Sequence, residues 1–238
     1  MNQHQGLSVS AWPFGRLRMF GYMGLLVDPP WRYEMRSENG YAKAPEAHYP
    51  TMSDEELLAL PVNLLAGREC IMVLAAVWPR LDFAVDLVRA WGFNLVTGGT
   101  WLKRASKGAL RVGPGYCLRT VCEPFLVARV GEAQAVLTDV INAIGETQRI
   151  AIDEIGSITI DGLAREHSRK PPEYRQLLER LTPQAFRAEL FAREPWPGNE
   201  VWGNETTKFS EAVQPCGERP ELPSNYKVEH GQDLLPGL

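Results

Sequence analysis

Residues 21–27, GYMGLLV, form a short apolar run in which polar residues do not alternate, the pattern of a strand buried on both faces, and Asp28 stands at its carboxyl end. CIMVLAAV (70–77) repeats the pattern, and FNLVTGGTW (93–101) and EPFLVARV (123–130) read as third and fourth strands. Between them the period changes. In SDEELLAL, Ser53 and Glu56 have the spacing of a capping box, which predicts a short helix that stops before Pro61. In RLDFAVDLVRAWG, apolar Leu81, Ala84, Val85, Val88 and Trp91 share one helical face, and Gly92 is the stop. PPEYRQLLERL reads as a helix opened by proline in its first turn, followed by two strand candidates, RAELFAR and NEVWGNE. Residues 132–165 mix helical and strand patterns and read as an inserted excursion.

Strands alternating with helices predict an α/β fold with a mostly parallel sheet, whose ligands bind beyond the carboxyl ends of its strands. Asp28 occupies such an end. At 238 residues and 45% hydrophobic, the chain suits one domain, expected over 15–206. Residues 1–14 read as a flexible N-terminal segment, and in 207–238 Pro, Glu, Gly and Ser dominate without periodicity, as in a disordered tail. No apolar run reaches membrane-spanning length, and the amino terminus lacks the order of a signal peptide, so no membrane partner and a cytoplasmic location are expected. The four cysteines form no C-x-x-C pair and the four histidines stand away from them, so no metal site is expected. The net charge of −4 argues mildly against nucleic acid, but its distribution argues the other way. From Asn94 to Cys122 there is no acid, while Lys103, Arg104, Lys107, Arg111 and Arg119 all fall inside. That span is either a basic contact surface or a solvated loop whose balancing acids lie elsewhere.

Beyond Asp28 come Pro29, Pro30 and Trp31. An exocyclic amine on an aromatic ring is a poor nucleophile because its lone pair is delocalised. Asp28 can accept one N–H, and the carbonyl of Pro29, left free in a backbone held extended by prolines, can accept the other. Two acceptors aimed at one NH₂ draw its lone pair toward an electrophile. Trp31 supplies a flat face for the base, a contact worth about 1–3 kcal/mol. The same four residues also suit a plain turn after a strand.

DPPW (28–31), HYPTMSDEELLALPV (48–62), AWGF (90–93), WLK (101–103), GYCLRTVCEPFLVAR (115–129), REHSRKPPEYRQLLERL (165–181), RAELFAR (187–193) and VWGNE (201–205) occur in family order. In these the chain resembles the adenine-N6 methyltransferases typified by the catalytic subunit of the messenger-RNA adenosine methyltransferase, which have bacterial and phage members acting on DNA. The resemblance implies a Rossmann-like class I fold using S-adenosylmethionine. It implies catalysis by Asp28, Pro29, Pro30 and Trp31. His48 and Tyr49 would border the base, and Glu123 would be an acid near it; from the basic span, Lys103, Arg104 and Arg119 are expected to meet the nucleic acid. Lys170 would lie near the methionine carboxylate, with Arg193, Asn204 and Glu205 at the ribose and adenine of the cofactor. Glu194 is a departure, an acid where the cofactor's sugar should be contacted.

No G-x-G motif follows a strand and opens a helix, so a general dinucleotide site is not expected. Nucleic acid is the expected partner, with DNA favoured over RNA because the compact domain is similar to bacterial and phage members. A homodimer or heterodimer stays open. Two other readings stand beside it: a catalytically silent partner subunit, against which the intact tetrapeptide argues, and an enzyme acting on a protein amide, whose relatives carry Asn in place of Asp28.

Overall fold

The computed structural model describes residues 12–32, 51–113, 117–132, 158–165 and 169–209. A seven-stranded sheet runs through them in the order β5-β3-β4-β2-β1-β6-β7. Its strands are β1 (Tyr22–Val27), β2 (Ala66–Ala75), β3 (Asn94–Arg104), β4 (Cys122–Val130), β5 (Ile158–Leu163), β6 (Arg187–Leu190) and β7 (Glu200–Trp202). Helix α1 (Asp54–Leu58) and helix α2 (Leu81–Ala90) precede β2 and β3, and helix α3 (Glu173–Leu181) precedes β6.

The unbroken apolar runs reflect burial on both faces. Leu25 and Val27, Met72 and Leu74, and Leu126 and Ala128 point to one side, where they meet Leu57 of α1 and Ala84, Leu87 and Val88 of α2. The alternate residues Leu26, Ile71, Val73, Phe125 and Val127 point to the other, where Tyr174, Leu177 and Leu178 of α3 cover them. Among the described residues, no helix is long and apolar enough to cross a membrane.

Six of the seven strands run in one direction, as a mostly parallel sheet requires; β4 is antiparallel to both β2 and β3. Its reversal follows from a returning connection, residues 105–121, in place of a crossover helix. Consequently the start of β4 lies at the same edge as the carboxyl ends of the other strands. Part of the expected excursion also belongs to the sheet, because β5 pairs in parallel with β3 from Gly99↔Ile158 to Arg104↔Leu163. From β1 the chain moves first toward β2 and later to β6 on the opposite side, so the crevice above β1 and β6 is a topological switch point.

Candidate active site

Four strand ends build one cleft of about 410 Å³ at that edge. After β1 come Asp28 to Trp31, after β2 Val77, after β6 Phe191 to Arg193, and after β7 Trp202 to Glu205. The reversed β4 contributes Glu123, and Lys170 enters from the approach to α3. Met52, Glu56 and Leu60 close one wall around α1, whose start is fixed by the expected capping box: Glu56 N donates to Ser53 Oγ at 3.2 Å and Ser53 N to Glu56 Oε2 at 2.7 Å. The volume and mixed lining are those of a small-molecule site.

The side chains at the centre are charged and paired. Lys170 Nζ is 2.9 Å from Asp28 Oδ1 and 3.9 Å from Glu123 Oε2, and Lys103 Nζ binds Glu123 Oε1. Both lysines also lie over the face of Trp101, at 5.0 and 5.9 Å from its centroid. Lys170, expected on the cofactor's side, therefore stands between the two acids expected on the base's side. Beneath them Tyr174 is fully buried, its ring edge-on to Trp101 and Phe125. Burial, with the charges of Glu123 and Asp28 adding to it, raises its phenol well above the ordinary range.

Within the tetrapeptide two expectations are corrected. The Pro29 carbonyl is not free: it accepts the Trp31 N–H at 2.8 Å, a three-residue turn centred on Pro30, whose ring holds the φ that such a turn needs. A carbonyl has two lone pairs, so one remains for a ligand. Trp31 is not an open stacking face. It is 4% exposed, donates its indole N–H to the Ala75 carbonyl at 3.2 Å, stands edge-on to Phe83, and only borders the cleft.

The chain reverses sharply after β6, where Phe191 adopts a positive φ of 63°. A bulky residue in that region is strained by about 1–3 kcal/mol. No glycine signalled this bend in the sequence. It turns Phe191, Ala192 and Arg193 into the cleft, and Ala192 N donates to Trp202 O at 2.9 Å. Gly203 is required beside it, because a Cβ there would lie 2.7 Å from the Ala192 carbonyl oxygen. Arg193 Nε is 4.0 Å from Glu205 Oε2, and Asn204 is exposed on the cleft wall. Glu194, the departure in the sequence, turns away from this wall into arginines: Arg169 binds one oxygen, and Arg165 and Arg175 lie 3.2 and 3.7 Å from the other. Glu189 of β6 pairs with Arg175 at 2.6 Å, and burial outweighs that cation to raise its carboxyl above the usual range.

The basic span is less basic in space than in sequence. Lys103 is held by Glu123, and Arg104 makes a two-pronged bond to Asp161 of β5, both contacts 2.7 Å. The balancing acids come from β4 and β5. Arg119 is exposed and donates to the Gly113 carbonyl at 3.3 Å. With Lys107 and Arg111 it forms the exposed cationic part of the connection 105–121. His48 and Tyr49 lie outside the described residues.

A family model, MT-A70, matches residues 22–205, from the first residue of β1 to the last cleft-lining residue after β7. The chain is similar to an N(6)-adenosine-methyltransferase MT-A70-like protein of Arabidopsis thaliana, at 29% identity over 75% of the chain and 22% of the relative. It is similar to the N(6)-adenine-specific methyltransferase METTL4 of Homo sapiens, at 25% identity over 78% of the chain and 37% of the relative. A type II methyltransferase of Mycoplasma sp, M.MunI, is 24% identical over 87% of the chain and 88% of the relative. The chain thus spans well under half the length of the plant and animal relatives and most of the length of the bacterial one.

Proposed function

The chain belongs to the MT-A70 family, and from that premise we propose that it transfers a methyl group from S-adenosylmethionine to the exocyclic N6 amine of adenine in nucleic acid. The observation that carries this reading is the convergence of Asp28, Pro29, Glu123 and Lys170 on one cleft at the switch point of the sheet.

The chemistry of the donor set suits S-adenosylmethionine, which has a carboxylate, an ammonium, a diol and a flat base. Lys170 is the cation for the carboxylate, while Arg193, Asn204 and Glu205 offer donors and acceptors for the sugar and base. When bound, it supplies a methyl group on a sulfonium, whose loss leaves a neutral thioether. The protein's own work is on the amine. Asp28 accepts one N–H and the second lone pair of the Pro29 carbonyl accepts the other, which localises the lone pair on the nitrogen and aims it at the methyl. As the nitrogen gains its bond to carbon it becomes cationic, the Asp28 carboxylate stabilises that charge, and the proton passes to solvent. Lys170 keeps the like-charged Asp28 and Glu123 together before substrate enters; without it they would repel across the cleft.

DNA is the favoured substrate, supported by the near full-length match to the compact type II methyltransferase. The test is incubation of the full chain with methyl-labelled S-adenosylmethionine and matched DNA and RNA pools, followed by nucleoside analysis. Label is expected in N6-methyladenine, more from DNA than from RNA. Label in another nucleoside, or in protein, would overturn the reading.

A further inference from the structure

Each of the chain's seven tryptophans has a partner for its indole N–H. Six are buried or half-buried, and only Trp78 is exposed, at 43%. Its N–H donates to the Cys122 carbonyl at 2.9 Å, so the ring is anchored by its edge. The backbone beneath it is equally fixed. Trp78–Arg80 is a single 3₁₀ turn containing Pro79 that runs directly into α2. Arg80 binds Asp54 at 2.5 Å and lies 4.6 Å from the Phe83 centroid. Large apolar surface left in water is unfavourable, and a rigid indole with its polar edge already satisfied is prepared for a flat partner.

Its surroundings say which partner. Val77, the preceding residue, lines the cleft, and so does Glu123, the neighbour of the carbonyl that anchors the ring; Trp78 itself stands just outside the cleft lining. Past Cys122 lies the connection 105–121, with Lys107, Arg111 and Arg119 exposed and no acid in its sequence. An exposed ring anchored where a cation-bearing connection rejoins the sheet suits an unpaired nucleic-acid strand, which binds with bases on rings and phosphates on cations. We propose that Trp78 is a stacking platform at the mouth of the cleft for a nucleobase adjoining the adenine to be methylated, on a strand whose bases are unstacked. This rests on the methyltransferase reading of the cleft and adds to it a contact with substrate that the DPPW tetrapeptide, its own tryptophan buried, does not supply.

The experiment measures binding of the full chain to a labelled single-stranded DNA containing one adenine, by fluorescence anisotropy at fixed salt, for the wild type, Trp78→Ala and Trp78→Phe. Each protein also meets oligonucleotides with an abasic position on either side of the adenine, and S-adenosylmethionine alone in a calorimeter. Trp78→Ala should bind roughly 5- to 150-fold more weakly, while Trp78→Phe, which keeps a ring but not the N–H, should keep most of the affinity. One neighbouring abasic position should weaken the wild type by a similar factor and leave Trp78→Ala unaffected, with cofactor affinity equal in all three proteins. Equal abasic losses in wild type and Trp78→Ala, or a Phe variant as weak as the Ala variant, would overturn the proposal and leave the ring a structural anchor. A changed sedimentation mass with unchanged DNA binding would assign the ring to a protein contact and overturn it likewise. If the wild type methylates the oligonucleotide and Trp78→Ala is indifferent, this inference alone fails; if the wild type binds S-adenosylmethionine but neither binds nor methylates nucleic acid, the reading of the cleft fails with it.

Discussion

Lys170 is one cation between two acids, 2.9 Å from Asp28 and 3.9 Å from Glu123, so removing either acid leaves it a partner. Asp28→Ala is therefore expected to fold. It should keep S-adenosylmethionine affinity within a few-fold and lose methyl transfer by at least about 100-fold, since one preorganised contact to developing charge is commonly worth about 2.7–4 kcal/mol. Calorimetry and single-turnover transfer check the two halves, and near-normal turnover would end the mechanism. A second residue links the fold to pH. Glu173, in the first turn of α3, has a buried Oε2 with no hydrogen-bond partner among the described residues, and burial raises its carboxyl above the ordinary value. As pH rises through the ordinary carboxylate range, the unfolded chain releases this proton before the folded one, so the group's contribution to stability is present at low pH and fades on the way to neutrality. Compared with Glu173→Gln, the wild type should gain stability as pH falls from 7 toward 4. Paired thermal melts at the two pH values would read the gap, and a gap that widened against the wild type at low pH would contradict it.

Among the elements, the connection 105–121 separates two kinds of cation. Lys103 and Arg104, where β3 ends, are committed to Glu123 and Asp161, whereas Lys107, Arg111 and Arg119 are exposed beyond them. Replacing these last three by alanine should flatten the slope of log affinity against log salt by about 2 on single strands and nearly 3 on duplex DNA. Cofactor affinity should not move. Lys103→Ala should behave differently, because it strips Glu123 of a partner inside the site and would be felt in turnover rather than in the salt slope. Anisotropy titrations at several salt concentrations distinguish the two, and an unchanged slope in the triple variant would place the phosphates elsewhere.

For the whole molecule, the cleft joins the ends of strands from both halves of the sheet, with β1 and β2 on one side of the switch point and β6 and β7 on the other. A cofactor held as proposed by Lys170, Arg193 and Asn204 would tie these halves together, and binding only the folded state adds stability. S-adenosylmethionine at about 100 times its dissociation constant should add about 2.7 kcal/mol, visible as a raised melting temperature. Arg193→Ala should reduce that shift, and Trp78→Ala should not. Loss of the shift in Trp78→Ala alone would place the cofactor on the wrong side of the cleft.

What could be read along the chain is whatever neighbours in sequence enforce. The runs around Leu25, Val73 and Val127 are apolar throughout because both faces of those strands are covered, and Ser53 and Glu56 cap α1 across three residues. The place of Asp28 at the carboxyl end of β1 followed from the apolar run before it, and the order of the strand and helix patterns carried the α/β class. What could not be read depends on residues far apart. Glu123 reaches the cleft only because β4 runs backwards, and Lys103 and Arg104 lose their free charge only because β4 and β5 bring acids beside them. Trp31 and Trp78 are indistinguishable as letters, yet the first is packed against Phe83 beneath Ala75 and the second is held by its edge at the surface. Local propensity carries no term for which strand will lie alongside, and burial and charge pairing are properties of that choice.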